Sequence, residues 1–505
     1  MKKTFAMLIA MLLVLATLLC SCNGDKGEEQ TQPPQDTGEE TLPGPPSKVP
    51  ADLKFSHQEV TVLLPAHAKE EFDADNSTAV IDKAIMDRNE AVEGRLEIEL
   101  TYLPRDEANT GAYQGVIRNS ILGGGDSYDI VTGNAYYTAA LAAEGLFYDF
   151  NTVADDNYVS TDLVWYNQSF VKDTAYKNQL YFLTGDLTIS IYDRTPVVFF
   201  NEDELDRWQI TENLYNVALE GNWTIEYLQT LVQNVEENLD GLDEKTKDDY
   251  YGLFFNGGSM NIDAMLTSVG IRLATIQEDG SVKISWTDGT ASDAFAKIYQ
   301  LMYESTGVYT GTVAKGTYYG EATNYYSEQA FFERRSIFSF GMLNAAKTFA
   351  LTPDLHYGIL PLPKYDAAKP YATTPQDAHS VVALPRNLGN NLGRSTAVLE
   401  TLSQQSYLIL RPVYHETAYK VRYASSAETG KLFDTVIESV TFDFGTFYSN
   451  SLQNATHKLR NRLSGEGTAA SSSLTGVTIM YTRQVQGKLD ELLTKFDTME
   501  VPPAA

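Results

Sequence analysis

The sequence predicts an α/β protein built of two or more lobes. Two observations carry this. Between residues 58 and 150 short apolar strand patterns alternate with helical ones, an order that gives a mostly parallel sheet covered by helices. Beyond a polar N-terminal stretch, roughly 450 residues remain, too many for one compact core.

The elements follow in order. VTVLL (60–64) is a short buried strand. Residues 78–93 place Val80, Ile81, Ala84, Ile85 and Val92 at helical spacing, with Asn76 or Ser77 as the expected cap. LEIELTYL (96–103) alternates apolar and polar as a half-buried strand does. A second helix carries Tyr113, Val116, Ile117 and Ile121 and stops at Gly123-Gly124-Gly125. Strand YDIVT (128–132), a helix over 136–145 and a strand-like LFYDF complete this part. TPVVFFN (195–201) is a buried strand. Thr224 caps a helix that turns Ile225, Leu228, Leu231, Val232 and Val235 inward. Helical patterns recur near 259–270 and 290–306. HYGILPLP (356–363) and SVVALP (380–385) are strands stopped by proline. Helices are expected over 394–410, 428–440 and 475–497.

The N-terminus is a targeting signal rather than structure. Lys2 and Lys3 precede the apolar run FAMLIAMLLVLATLL (5–19), which is short for a bilayer span. The run ends in Leu19-Cys20-Ser21-Cys22, which resembles the lipobox of bacterial lipoproteins, with Ser21 before Cys22. That likeness implies cleavage after residue 21 and lipid on Cys22. These two cysteines are the only ones in the chain, so the folded part has no disulfide and no cysteine metal site. Residues 23–50 hold six of the 18 prolines and almost nothing apolar, the composition of a spacer. The formal net charge of −29 argues against nucleic acid and anionic lipid headgroups as partners. Glu236–Asp249 lacks calcium-loop spacing and is expected to be a solvated loop.

Several segments together resemble the extracellular solute-binding proteins of ABC importers, in the branch that holds maltose- and oligosaccharide-binding members. YDIVTGNAYYTAALAAEGLFYDF resembles that family's strand, loop and helix ending in Gly-Leu. TPVVFFNEDELDRWQI resembles its first crossing strand, and GNWTIEYLQTLV the Trp-Thr helix start that follows. FFERRSIFSFGML resembles the segment by which the second lobe approaches the cleft, and HYGILPLPKYD the return strand. The resemblance covers nearly all of 56–500. It implies a two-lobed periplasmic-binding-protein-like fold (type II) with a hinge of crossing strands, and a ligand in the cleft between lobes. The expected division is a leader over 1–21, a lipidated cysteine and linker over 22–55, a first lobe of 56–193 with 355–410, and a second of 197–352 with 411–505.

It also implies a monomer that binds a small molecule, here a sugar, and passes it to permease subunits at the outer face of the bacterial cytoplasmic membrane. Sugars are held by aromatic faces and by planar hydrogen-bonding side chains. The candidates follow. Trp165-Tyr166, in the polar setting DLVWYNQS, reads as a stacking platform. Asn134 and Tyr136, with Tyr137, follow the C-terminal end of a strand, where ligands of open α/β sheets gather. Tyr192 precedes the first crossing. Asn256, with Gly257 and Gly258, follows GLFF. Phe340-Gly341 ends a strand that faces the cleft in the family pattern. Asp377 and His379 precede strand 380–384. Trp223, Trp208 and Trp286 read as packing residues, and Tyr318–Tyr326 as a rim loop.

An enzyme is not expected. The chain has no Gly-x-Ser-x-Gly, His-Glu-x-x-His or P-loop, and no carboxylate pair stands out for glycoside cleavage. His57, His67, His356, His379, His415 and His457 have no metal-ligand spacing, so neither metal nor cofactor is expected. A peptide ligand in the same fold, a glycan-active enzyme and a lipid-anchored sensor are the alternatives.

Overall fold

The computed structural model describes residues 46–75, 77–106, 110–123, 128–256, 259–311, 325–352, 354–415, 427–465 and 469–499. The leader, Cys22 and most of the spacer lie outside them. Among the described residues no helix is long and apolar enough to cross a membrane.

Two sheets organise the chain. The first orders its strands β12-β3-β1-β2: Ser380–Ala383 (β12), Ile130–Asn134 (β3), Gln58–Pro65 (β1) and Ile98–Arg105 (β2). Strand β1 is parallel to both neighbours, with Leu63 paired to Leu103 and Val131. β12 closes the edge antiparallel, Val382 against Thr132. The parallel order read from the alternation is therefore present. Both faces of β1 are covered: Val60, Val62, Leu63 and Leu64 are all buried, as expected of a strand between helical layers.

The second sheet centres on Pro196–Asn201 (β4), whose six residues are all buried. β4 runs antiparallel to Ser336–Met342 (β10) on one side and to Tyr357–Leu360 (β11) on the other. β10 continues parallel to Tyr250–Asn256 (β6), which is parallel in turn to Val308–Gly311 (β9) and antiparallel to the short Glu236–Glu237 (β5); Ala274–Ile276 (β7) and Val282–Ile284 (β8) form a separate antiparallel pair. Strand β11, expected in the first lobe, thus belongs with the second sheet. It pairs antiparallel with β4 at the edge of that sheet and ends at Pro361.

Several helices form as their patterns require. Thr224 caps Ile225–Val232, its side chain accepting from the Tyr227 amide at 3.1 Å. Helices Thr110–Gly123, Ala135–Ala143, Ala291–Tyr303 and Thr475–Thr498 lie where the apolar spacing puts them. Other expectations need correction. The first long helix, Val80–Leu96, starts from Ala79 with no side-chain cap; Asn76 lies outside the described residues. LFYDF forms no sheet strand: Phe147 makes one bridge to Pro385 while Leu146, Phe147, Tyr148 and Phe150 are buried by side-chain packing. The acidic stretch 236–249 folds around Asp249, which is buried and accepts from the amides of Leu239 (2.9 Å) and Thr246 (3.0 Å). Helix Leu392–Gln405 runs on into a π-helical turn, Ser406–Leu410. Helices Phe444–Phe447 and Ala455–Ser464 have no counterpart in the sequence reading.

The C-terminal part packs on both sheet-bearing halves, although it was expected with the second lobe. The Phe496 ring stacks on Tyr181 at 5.7 Å and Lys177 pairs with Asp497 at 2.6 Å, both on the first side. Helix Ala455–Ser464 packs against Ser259–Ser268 on the second. Two segments connect the sheets, 184–195 and 361–379. They are tied together by the Gln376 amide donating to the Arg194 carbonyl (2.9 Å) and by the Arg194 guanidinium donating to the Gln376 side chain (2.6 Å).

Candidate functional site

The C-terminal ends of β1, β2 and β3 open on one edge of the first sheet. Two cavities lie there and share His67. One, ≈ 230 Å³, is bounded by residues after the three strands: His67, Arg105, Asp106, Asn134 and Tyr137. The other, ≈ 260 Å³, lies between that edge and the second half of the chain: Glu70, Glu71 and Asp82 on one side, Asn344 and Lys347 on the other, Asp193 and Arg194 between. Loops at strand ends place polar side chains there because the strands themselves are occupied by apolar packing.

The cleft is organised by carboxylates, two of them, Glu71 and Asp186, buried. Glu71 accepts from the Ser190 amide and hydroxyl, both at 2.8 Å, and from the Ser380 hydroxyl at 2.6 Å. One side chain thus joins the segment after β1, the first crossing and the start of β12. Burial raises the Glu71 pKa. Asp193 pairs with Lys347 at 2.9 Å and accepts from the Tyr414 hydroxyl at 2.6 Å. Asp186 accepts from Tyr192 (2.9 Å) and from Arg411 (3.4 Å); burial raises it to about 6, against the pull of Arg411.

The structure brings some sequence candidates together. Asn134 starts helix Ala135–Ala143 without capping it, and its side-chain oxygen lies 3.3 Å from His67 Nε2. Tyr136 and Tyr137 are half-buried and meet edge to face at 5.2 Å. The Tyr136 hydroxyl donates to Asn454 at 3.0 Å, reaching from the first side of the cleft to the second. Burial and then Tyr137 push its pKa up to about 12, so the hydroxyl is a neutral donor at pH 7. Asp377 and His379 adjoin Tyr136 around a third, smaller cavity. Asp377 reaches solvent at its mouth, yet the enclosing walls and then Asp263 raise its pKa.

Other candidates lie elsewhere. Trp165 and Tyr166 are buried, with no ring face open to a ligand. Trp165 packs on Tyr166 and Tyr407, both at 6.4 Å between ring centroids. Tyr166 donates to Glu400 at 2.7 Å. The expected platform is thus core, because the helix Leu392–Gln405 covers it. Tyr192 is buried against Tyr414. Phe340 is buried against Phe255, and a Cβ on Gly341 would sit 3.1 Å from the Phe199 ring, so this pair packs the second sheet. Asn256 ends β6; its side chain, with Gly257 and Gly258, lies outside the described residues, as do residues 318–324. Trp223 and Trp286 are fully buried and donate to Pro361 and Thr482, and Trp208 stacks on Tyr250.

Sequence reasoning missed His67, Arg105, Glu71, Arg194 and Lys347. The first two follow parallel strands just as Asn134 does, so the same rule selects them. Glu71, Arg194 and Lys347 carry no local signal; only the fold brings them together.

The Tyr166–Glu400 pair has a testable signature. Burial raises Glu400 to about 7, with Tyr166 and the Ser160 amide pulling it back. A carboxyl raised on folding costs nothing below the unfolded value near 4.5. As pH rises from there to about 7 the unfolded chain ionises first, so stability falls, by something of the order of 3 kcal/mol in all. Glu400→Gln keeps an acceptor for Tyr166 and removes the titration. Urea midpoints from pH 4 to 8 should fall for the wild type and stay flatter for the variant; parallel curves refute the assignment.

No family model matches the sequence, and no curated protein matches it. Solved structures do match. A cyclo/maltodextrin-binding protein complexed with maltotetraose aligns at TM-score 0.52 and 11% identity, over 88% of this chain and 99% of its own. UspC of M. tuberculosis aligns at 0.50 and 15% identity, over 85% of this chain and 100% of its own. Identity this low leaves a shared backbone and differing side chains. With two sheets joined by crossing segments and a polar cleft at the strand ends, the chain has the two-lobed, periplasmic-binding-protein-like α/β fold of the cyclo/maltodextrin-binding protein.

Proposed function

We propose that this protein is the substrate-binding lipoprotein of an ABC importer, holding an oligosaccharide between its lobes and delivering it to a membrane permease. The observation that carries this is the cleft itself: a hydroxyl-matching wall of Glu70, Asn134, Arg194 and Lys347, with the Tyr136–Tyr137 pair half-buried at its side. Sugars need that mixture of planar polar groups and ring faces. The ligand of the aligned cyclo/maltodextrin-binding protein, maltotetraose, supports the same class. In this reading the protein binds and releases without chemistry, acts as a monomer, and stays at the outer face of the cytoplasmic membrane by lipid on Cys22. The lobes are those of the two sheets, joined at 184–195 and 361–379. Ligand bridging both sides favours the closed arrangement.

A thermal-shift screen of the purified protein against neutral oligosaccharides and peptides tests it. A ligand at 100 times its Kd adds about 2.7 kcal/mol, which for a chain this long moves Tm by roughly a few degrees. Shifts with peptides and none with sugars defeat the carbohydrate reading; consumption of a glycan by the pure protein favours an enzyme. Cys22→Ser separates tether from binding. Several acyl chains, at about 0.8 kcal/mol per buried methylene, hold the wild type on membranes. The variant should appear in the soluble fraction with sugar affinity unchanged, and a protein still sedimenting with membranes would refute lipidation at Cys22.

A further inference from the structure

The His379 imidazole is 1% exposed and lies against the rings of Phe442 and Phe447, at 6.0 and 6.2 Å. Its Nδ1 is 2.8 Å from the Gln376 carbonyl oxygen. A carbonyl only accepts, so Nδ1 carries the proton and donates. Nε2 is then a bare lone pair, and it is buried without a partner. Burial pushes the ring's pKa down to about 4, which keeps this tautomer neutral at pH 7. Buried acceptors are normally satisfied, so an orphan at a cavity wall marks a place where a donor is missing.

The ring lines the third cavity, ≈ 30 Å³, with Tyr136 and Asp377 beside it. That space exceeds the roughly 10–15 Å³ one water needs but is far too small for a sugar ring. Two of the carboxylates around it are already engaged, while Asp377 stands at its mouth. Asp443 takes the Ala274 and Thr446 amides at 3.2 and 3.1 Å, and Asp263 is paired with Arg460. Nε2 is the buried acceptor here without a partner.

We propose that this cavity is a recess for a single ligand hydroxyl, which donates to His379 Nε2 while the rest of the ligand lies over Tyr136 in the main cleft. This rests on the sugar reading above and narrows it. The recess takes one hydroxyl of a neutral ring and rejects a carboxylate, which would meet His379 Nε2 and Asp377 with no proton to offer. Uronic acids and peptide C-termini are therefore excluded from this position.

Calorimetry on the full-length protein tests it, with maltotetraose first and then other neutral tetrasaccharides as probes. The sugar that binds is compared with its monodeoxy analogues on the wild type, His379→Phe and His379→Asn. Phenylalanine keeps an aromatic ring beside Phe442 and Phe447 and removes the acceptor; asparagine restores one. The parent sugar should bind His379→Phe about tenfold more weakly, the cost of one lost buried hydrogen bond. His379→Asn should recover part of that loss. One monodeoxy analogue should lose about tenfold on the wild type and nothing further on His379→Phe. If His379→Phe binds the parent as the wild type does, or if all monodeoxy analogues bind the wild type equally, the recess is refuted and the sugar reading stands. Should His379→Phe fail to fold, the same comparison is made with His379→Asn, on which that analogue should lose less than on the wild type, and equal losses on both would refute the recess. A wild type that binds none of the sugars overturns both.

Discussion

Trp165→Ala is expected to cost about 3–5 kcal/mol of folding stability, the range for removing a large buried aromatic, and to leave sugar affinity of the folded protein unchanged. The side chain is 0% exposed and is wedged between Tyr166 and Tyr407. Alanine leaves a void that the helix Leu392–Gln405 cannot collapse into without dragging Glu400 from Tyr166. Native proteins hold only about 5–15 kcal/mol in reserve, so this one change removes a large fraction of it. Urea denaturation gives the first quantity; calorimetry well below the transition gives the second. A variant of near-normal stability that had lost its sugar would restore Trp165 to the cleft.

The second large effect is expected at Tyr136 and Tyr137. Replacing both by alanine should weaken sugar binding at least about a hundredfold, some 2.7 kcal/mol, as truncation of aromatic anchors does. Stability should change less than with Trp165, since both rings are half-buried. Tyr136→Phe separates two contributions. It keeps the ring and removes the hydroxyl that reaches Asn454, so its loss should be nearer tenfold. Wild-type affinity in the double alanine variant would place the ligand away from this pair.

These contrasts mark how far the sequence could be read. Strands β1, β4 and β12 and the Thr224 cap were legible because each is written in neighbouring residues: apolar runs with a proline at one end, or a hydroxyl three places before the amide it caps. LFYDF misled because a buried apolar run looks alike whether it is a sheet strand or a segment held by a single bridge and scattered backbone bonds to Leu384, Arg386 and Leu180. Trp165-Tyr166 misled because the polar residues beside the pair suggested a surface, while its partner Glu400 lies 234 positions from Tyr166. Asn134 and Tyr136 were selected by a rule about strand ends, and that rule extends to His67. Glu71 was invisible: its meaning lies in Ser190 and Ser380, which only the fold brings to it.

The pairing of Arg194 with Gln376 constrains how the two halves can travel. Two separate connections would let them swing, twist and slide. Here each connection grips the other through a backbone bond and a side-chain bond, while Glu71 pins Ser190 and Ser380 to the first sheet. The pair behaves as an axle seated in one bearing. If the lobes close on a ligand as proposed, rotation about it is favoured over torsion across it, and a ligand would meet the same two walls arriving along the same arc. Selectivity can then reside in a few fixed groups at the edge of the first sheet, because the opposite wall always returns to them in register.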